Sequence, residues 1–355
     1  MTTANILSQL GSPGVSTGFK NRIINGAMVI DQRNAGASVT PTAIGYPTVD
    51  RFGVYVSSAS KFSLQQNAGS VTPPVGFTNY LGATSLAATS VASGDYYYLS
   101  QAIEGYNVAD LGWGTANAKT VTLSFQVYSS LTGTFGGSLR NSATNRSYPF
   151  SYTISSANTW TSISITIAGD TTGTWLTTNG TGILVTFSLG MGSTYSGTAG
   201  AWASGNYASA TGATSVVGTN GATFYITGVQ LEVGTTATNF DYRSYGTELA
   251  LCQRYCYVAS NPMYVGTVYS STVISHASSP FPVTMRATPT TTLTGTITWQ
   301  AGTNSISATS LSATYSSPNA FDSDVTTSSS SFSAGQCAIA RTNSSTYTLI
   351  NSAEL

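Results

Sequence analysis

Apolar and polar residues alternate along several stretches of the chain, which is the pattern of a β-strand with one buried face. The clearest stretch is residues 120–130 (TVTLSFQVYSS). One set of alternating positions is apolar: Val121, Leu123, Phe125 and Val127. The other set is polar or amphipathic: Thr122, Ser124, Gln126 and Tyr128. We predict a strand whose first set faces a core and whose second set faces outward.

Three further stretches indicate strands: residues 160–167, 182–189 and 224–233. The first alternates, the second is almost uniformly apolar, and the third alternates up to Gly228. Clusters of Gly, Asn, Asp and Thr separate them and are typical of loops. Short strands with turn signals about every ten residues favour an all-β fold, an antiparallel sandwich or barrel.

One helical signal interrupts this pattern, at residues 244–257 (SYGTELALCQRYCY). Offsets of four, three and four place these residues on one helical stripe: Tyr245, Leu249, Cys252 and Cys256. Ser244 is suited to cap the helix. We predict a main β domain at 21–243, a short linking α-helix at 244–258 and a smaller C-terminal β domain at 259–355.

Charge is scarce: 7% of the residues are charged, against about 25% in ordinary globular domains, and 12 basic residues balance 12 acidic ones. This argues against nucleic acid or an acidic membrane surface as a partner, because both are bound by basic patches. Ser and Thr, 108 of the 355 residues, supply the polar surface instead. No run approaches 18 apolar residues, so we expect no membrane insertion.

Cysteine usage and the N-terminal residues bear on where the protein is made. Residues 1–18 lack the basic start and apolar core of a secretory signal. Three cysteines, Cys252, Cys256 and Cys337, form an odd set that is not a disulfide framework. We therefore expect synthesis in a reducing cytoplasm.

Residues suited to catalysis are few. His276 is the one histidine, and no nucleophile motif surrounds it, so we interpret it as a solvated histidine. Cys252 and Cys256 lack a second ligand pair for zinc, which favours core packing. Glu104, Asp110 and Asp170 are the acidic residues on which a glycosidase pair would draw, but their spacing gives no support. We predict no catalytic residue, no metal and no cofactor.

Binding through aromatic side chains is easier to accommodate. Aromatic faces stack on the C–H face of a sugar, while neighbouring hydroxyls and amides bond its hydroxyl groups. The aromatic candidates are Tyr96, Tyr97, Tyr98, Trp113, Tyr195, Trp202, Tyr207, Trp299, Tyr315 and Tyr347. From these we select as ligand-binding candidates Tyr97, Trp113, Trp202, Tyr315 and Tyr347. The alternative for each is packing in a core or a subunit interface.

Several motifs occur in a specific order along residues 20–290. They are 21–33 (NRIINGAMVIDQR), 49–52 (VDRF), 101–105 (QAIEG), 169–175 (GDTTGTW), 228–234 (GVQLEVG), 237–240 (ATNF), 242–255 (YRSYGTELALCQRY) and 281–289 (FPVTMRATP). Together they resemble the jelly-roll, carbohydrate-binding-module-like domain of many bacteriophage tail and fibre proteins. In this resemblance, residues 21–33 correspond to the first strand of the jelly roll.

The resemblance implies an antiparallel jelly-roll β-sandwich in a homotrimeric virion appendage, such as a tail fibre. A composition poor in charge and rich in hydroxyls also suits faces that are buried about a symmetry axis. We expect residues 1–20 to be an arm that attaches to another virion protein. We expect residues 259–355 to be the distal tip that contacts host surface polysaccharide or lipopolysaccharide.

Two other functions stay open at this stage. One is a purely structural collar, baseplate or capsid-surface component without a receptor role. The other is a polysaccharide depolymerase, which the absence of a recognisable carboxylate pair disfavours.

Overall fold

The structure is a computed structural model that describes residues 19–276, 278–312, 316–326, 332–341 and 347–355. The chain divides into two compact units, one up to Arg243 and one from Ser244. Strands dominate both units, and the described residues contain a single α-helix, α1 (Tyr245–Gln253). This confirms the predicted all-β class with antiparallel sheets and a short helix. The described residues include no helix with the length and apolarity needed to span a bilayer.

The first unit contains two antiparallel sheets. The strand order of the larger sheet is β1 (Gly53–Val56), β4 (Tyr96–Glu104), β9 (Thr181–Met191), β6 (Gly133–Arg140), β7 (Arg146–Ile154) and β11 (Ala203–Ser204). The order of the smaller sheet is β2 (Phe62–Gln66), β3 (Leu81–Ser85), β13 (Thr223–Val233), β5 (Val121–Ser129) and β8 (Thr161–Ile167). A short parallel pair joins β10 (Ser196–Gly197) to β12 (Ser209–Ala210).

Alternation decides which side chains lie between the two sheets. The apolar set predicted for β5 is buried: Val121, Leu123, Phe125 and Val127. Of the polar set, Ser124 and Gln126 are half-buried on the outer face, whereas Thr122 is buried, and its hydroxyl donates to the Gly234 carbonyl at 2.9 Å. Phe125 meets Phe187 of the larger sheet edge to face, with ring centroids 5.1 Å apart. Phe135 and Phe224 meet across the same interior, with centroids 6.1 Å apart. The core of the first unit is therefore a two-layer sandwich filled by the inward positions of both sheets.

The motif at residues 21–33 is not the regular strand that the resemblance predicts. Asn25 and Met28 have positive φ angles, which interrupt an extended chain. Polar side chains satisfy the backbone instead of a sheet ladder: the amide of Asn21 donates to the Val229 carbonyl at 3.0 Å, and its oxygen accepts from the Leu231 amide at 3.1 Å. This segment therefore packs directly on the motif at residues 228–234.

The second unit contains α1 and three further groups of strands. A three-stranded sheet has the order β14 (Cys256–Ser260), β24 (Tyr347–Ser352) and β18 (Thr290–Gly295). A six-stranded sheet has the order β20 (Asn304–Ala308), β19 (Ile297–Ala301), β23 (Cys337–Arg341), β15 (Val265–Ser270), β16 (Val273–His276) and β22 (Asp324–Thr326). A short pair joins β17 (Ser279–Pro280) to β21 (Ala320–Phe321).

The helix α1 is shorter than predicted and buries a different stripe. Ser244 caps it as expected, since its hydroxyl accepts the Thr247 amide at 3.4 Å. Tyr245, however, is exposed and Leu249 is half-buried, whereas Glu248 and Cys252 are buried. The helix ends at Gln253 because the chain enters β14 at Cys256. Of the predicted stripe, Cys252 and Cys256 are therefore buried, but Cys256 belongs to β14 and not to the helix.

Candidate functional site

Tyr97 needs correction as a ligand-binding candidate. It lies in the core of the first unit and is 1% exposed. In β4 the three tyrosines alternate between the two faces of the larger sheet, with Tyr97 inward and Tyr96 and Tyr98 on the outer face. The phase follows from the neighbouring strand β1, where Val54 and Val56 also point into the core. Tyr96 and Tyr98 are therefore the members of the triplet on the outer face, where Tyr96 is half-buried and Tyr98 is 8% exposed.

Trp113 and Trp202 come together with Trp175 in one aromatic cluster. Their ring centroids lie 4.8 to 5.3 Å apart, and all three pairs meet edge to face. Each indole N–H donates to a backbone carbonyl: Trp113 to Lys119 at 2.8 Å, Trp175 to Thr172 at 3.1 Å and Trp202 to Ala168 at 2.7 Å. Trp113 is buried and Trp202 half-buried. The cluster is placed to hold the surrounding loops, so packing describes Trp113 better than ligand binding.

The remaining candidates belong to the second unit. Tyr347 is 2% exposed, and its hydroxyl donates to the Pro262 carbonyl, so it is a core residue. Tyr315 lies outside the described residues. His276 is buried in β16 beside Tyr264, with ring centroids 4.3 Å apart, and is not the solvated histidine that the sequence indicated.

A groove of about 580 Å³ lies on the outer face of the smaller sheet. Its polar side comes from outward positions of β5 and β8: Ser124, Gln126, Ser162 and Ser164. Gln126 and Ser162 are cross-strand neighbours, and the Gln126 amide donates to the Ser162 oxygen at 2.7 Å. None of the described residues that line the groove is charged. The groove therefore offers hydroxyls and amides to a ligand, without a charge.

Aromatic rings form another side of this groove. Phe77 meets Phe240 with centroids 5.1 Å apart, and Phe240 meets Tyr242 with centroids 4.9 Å apart. Tyr242 is 60% exposed, so part of its ring is open to a ligand. Gly228 lies against Phe77 at a break in the register of β13, between Thr227 and Gln230. Its φ of +62° is a left-handed conformation that favours glycine, and a Cβ there would meet the Phe77 ring at 2.6 Å.

A smaller cavity of about 210 Å³ lies on the outer face of the larger sheet. We call it the tyrosine cavity, because four of its lining residues are Tyr55, Tyr96, Tyr98 and Tyr195, alongside Ile44, Arg140, Asn206 and Ala208. Tyr96 and Tyr195 meet edge to face, with centroids 5.5 Å apart. Burial raises the pKa of Tyr55 and of Tyr96 above the ordinary tyrosine value of 10. Their hydroxyls, like those of any tyrosine at neutral pH, can donate hydrogen bonds.

Arg140 is the charged residue of the tyrosine cavity, and it is 3% exposed. Its guanidinium donates to the Asn206 side-chain oxygen at 2.6 Å and to the Thr186 hydroxyl at 3.2 Å. The guanidinium carbon lies 5.2 Å from the centroid of the Tyr98 ring, in a cation–π contact. All of these partners are neutral.

The acidic residues considered for catalysis are otherwise engaged or buried. Asp170 accepts two hydrogen bonds from Arg146, at 2.8 and 2.7 Å. Burial alone would raise the pKa of Asp170, but the hydrogen bonds from Arg146 and Thr172 outweigh it and lower that pKa. Asp110 pairs with Arg22 at 2.7 Å, and Glu104 is 1% exposed.

Some of the signal for these two sites was present in the sequence. The outward positions predicted for β5 include Ser124 and Gln126, which line the groove. Strand alternation predicts that Tyr96 and Tyr98 share one face and Tyr97 lies on the other, but it does not say which face is inward. Arg140, by contrast, is a lone basic residue at the end of β6, and no spacing relates it to Tyr98 or Asn206.

Comparisons with known proteins give only distant similarities. No protein-family model and no curated protein matches the chain. Among solved structures, the enzymatically active domain of tailspike protein 4 from bacteriophage CBA120 is 12% identical, with a TM-score of 0.31, and the match covers 60% of this chain and 21% of that one. A family 11 carbohydrate-binding module from Clostridium thermocellum, in complex with a β-1,3-1,4-mixed-linked tetrasaccharide, is 13% identical, with a TM-score of 0.28, over 53% and 91% of the two chains. The module TmCBM61, in complex with β-1,4-galactotriose, is 10% identical, with a TM-score of 0.28, over 52% and 88%.

Proposed function

We propose that this chain is a structural protein of a bacteriophage virion, a tail fibre or similar appendage, that adsorbs to host cells by binding surface polysaccharide or lipopolysaccharide. The groove on the smaller sheet carries the glycan-binding part. It combines an exposed tyrosine ring at Tyr242 with a row of neutral hydroxyls and amides, which are the two kinds of group that sugars need. Its volume of about 580 Å³ lies in the range of about 300 to 1,000 Å³ typical of ligand pockets.

The groove favours an uncharged stretch of polysaccharide. A buried charge would cost free energy unless the ligand paired with it, and the described lining residues bring none. Gln126 and Ser162 hold each other in place across the strands, so a sugar hydroxyl would meet donors and acceptors that are already oriented.

The virion role is supported by the motifs that resemble phage tail and fibre proteins. We propose a homotrimer, with residues 1–20 attaching it to another virion protein; all but two residues of that arm lie outside the described part of the chain. We also propose that the chain acts by binding and not by catalysis. Asp170 and Asp110 are already committed to ion pairs with Arg146 and Arg22.

The position of the groove changes where we expect host contact. The sequence led us to assign contact to residues 259–355, but the aromatic candidates Trp299 and Tyr347 of that region are buried. The groove belongs to the first unit. We therefore place glycan contact there and leave to the second unit a structural role or a further contact of its own.

Point variants of the full chain test this proposal. Tyr242→Ala removes the exposed ring of the groove, while Tyr269→Ala removes a tyrosine of the second unit that is 79% exposed and is the matched control. On an array of host surface glycans, we expect Tyr242→Ala to weaken binding about tenfold, or about 1.4 kcal/mol, and Tyr269→Ala to leave it unchanged. The intact chain should also block adsorption of the phage to its host.

Other outcomes point to the other functions. Binding that Tyr269→Ala weakens and Tyr242→Ala does not would return host contact to residues 259–355. No binding to any host glycan, with a labelled antibody finding the protein in the collar, baseplate or capsid, would indicate a purely structural component. A steady loss of polymer viscosity would indicate a depolymerase.

A further inference from the structure

Arg140 brings a buried positive charge to the wall of the tyrosine cavity, and the described part of the chain places no carboxylate within ion-pair distance of it. We propose that the tyrosine cavity binds the carboxylate of a single acidic sugar unit, such as a uronic acid, with Arg140 as the residue that pairs with it. This site is separate from the groove, because the two lie on the outer faces of different sheets.

The Arg140 guanidinium is buried at a cost in free energy. A buried cation costs several kcal/mol of solvation free energy unless an opposite charge compensates it. Around Arg140 the compensation comes from neutral groups: the Asn206 oxygen, the Thr186 hydroxyl and the ring of Tyr98. Arg22 and Arg146 of the same unit, by contrast, have carboxylate partners in Asp110 and Asp170. A ligand carboxylate would supply the anion that Arg140 lacks.

The Arg140 guanidinium keeps N–H donors that no described residue uses. Guanidinium has five N–H donors, and the structure assigns two of them, one to Asn206 and one to Thr186. The Nε atom of Arg140 is buried and has no hydrogen-bond partner in the described residues. A carboxylate is the planar, two-oxygen acceptor that matches the fork of remaining donors.

The size and lining of the tyrosine cavity suit a single sugar unit. About 210 Å³ corresponds to roughly seven water molecules at about 30 Å³ each, which suits one sugar ring and not an extended oligosaccharide. Tyr55 and Tyr98 present stacked rings, and Tyr96 and Tyr195 add phenol hydroxyls and apolar edges. Asn206 is held by Arg140 and faces the same space. Aromatic surface with a few polar groups distinguishes a sugar acid from a bare inorganic anion.

The experiment compares four small probes on the full chain by isothermal titration calorimetry and saturation-transfer NMR. The probes are D-glucuronate, its uncharged methyl ester, D-glucose and glucose 6-phosphate. We expect D-glucuronate to bind at least tenfold more tightly than the ester and glucose, since it alone among these three carries the carboxylate. Equal binding of glucuronate and its ester would overturn the proposal. Tighter binding of glucose 6-phosphate than of glucuronate would also overturn it, because the site would then prefer a phosphate to a carboxylate. This comparison needs no variant.

Variants locate the site. Arg140→Gln keeps a side chain that can bond Asn206 and removes the charge, and it should abolish the preference for glucuronate over its ester. Tyr195→Ala removes part of the cavity wall and leaves the hydrogen-bond partners of Arg140 unchanged. It should weaken the binding of glucuronate at least fivefold. Tyr242→Ala should leave the preference intact, even if the groove binds no glycan at all. Loss of the preference in Tyr242→Ala would move the site to the groove and overturn the assignment to Arg140.

Discussion

Tyr55 and Tyr98 lie directly opposite each other on the antiparallel strands β1 and β4, and their rings stack with centroids 4.7 Å apart and planes 8° apart. Stacked aromatic pairs stabilise a fold by about 0.5 to 1.5 kcal/mol beyond the area they bury. We expect Tyr55→Ala to lower the free energy of unfolding by about 2 to 3 kcal/mol, and Tyr55→Phe by about 1 kcal/mol or less. Urea unfolding of the three proteins measures both; equal losses would show that the hydroxyl, not the ring, carries the effect.

The Asp170–Arg146 ion pair predicts acid sensitivity in the first unit. The folded-state pKa of Asp170 is lowered, so the stabilisation is complete above the unfolded-state pKa near 3.8 and is lost as the pH falls through the folded-state value. Asp170→Asn should cost about 2 to 4 kcal/mol at pH 7, because it leaves Arg146 without its anion. The difference in unfolding free energy between wild type and Asp170→Asn should shrink as the pH falls below 4. A difference that stays constant down to pH 2 would contradict the prediction.

His276 predicts a different pH dependence in the second unit. Burial lowers its pKa from 6.5 to about 4, so the unfolded chain binds a proton that the folded chain resists between these values. The stability of the second unit should be complete above pH 6.5 and fall by about 2 to 3 kcal/mol on acidification to pH 4. Trp299 fluorescence can follow this unfolding, since its ring centroid lies 6.5 Å from that of His276. His276→Gln should flatten the profile over this window; an unchanged slope would assign it to another group.

The sequence was most informative where the period of its apolar residues alone decides which side chains are buried. In β5 the alternation predicted the buried set, Val121 to Val127, and the outward set that includes Ser124 and Gln126. A strand with one apolar face has only one register that buries it, so sequence alone suffices. The tyrosine triplet differs, because tyrosine is acceptable on either face. Neighbouring β1 decides that Tyr97 points inward, and such pairing is not visible in a local pattern.

Long-range placement explains what the sequence missed. Arg140 reaches Thr186 and Asn206 from positions 46 and 66 residues away along the chain. Tyr242 and Phe77 meet with ring centroids 5.7 Å apart, and Gly228, at the register break of β13, lies against Phe77. Neither contact follows from local spacing. The sequence therefore identifies which residues are aromatic, but not which of them are exposed to a ligand. Trp113 and Tyr347 are examples: both were selected as ligand-binding candidates because they are aromatic, and the tertiary fold buries both.

The corrected helix face predicts an unequal response to the same substitution. Cys252 is fully buried, whereas Leu249 is half-buried. Cys252→Asp should destabilise the second unit by several kcal/mol through burial of an unpaired charge, and Leu249→Asp by less than about 2 kcal/mol. Cys252→Ala should cost about 1 to 2 kcal/mol, as a small cavity does. Thermal unfolding of the three variants ranks them. Equal losses of stability in Cys252→Asp and Leu249→Asp would instead support the buried stripe that the sequence predicted.

Gly228 connects the backbone of β13 to the groove on the smaller sheet, and Gly221 is its matched control. Both have positive φ angles, +62° and +73°. A Cβ at Gly228 would meet the Phe77 ring at 2.6 Å, while a Cβ at Gly221 would have nothing within 4 Å. An alanine at either position carries the cost of a left-handed conformation, about 1 to 2 kcal/mol.

Only Gly228→Ala should also displace Phe77, and with it the aromatic side of the groove formed by Phe240 and Tyr242. We therefore expect Gly221→Ala to lose about 1 kcal/mol of stability with unchanged glycan binding. Gly228→Ala should lose about 1 kcal/mol more and bind neutral oligosaccharide at least fivefold more weakly. Urea unfolding and titration with the oligosaccharide identified on the glycan array separate the two effects. If both alanine variants bind the oligosaccharide as tightly as wild type, the contact of Phe77 with Gly228 does not shape the binding surface, and the groove would not be the glycan site.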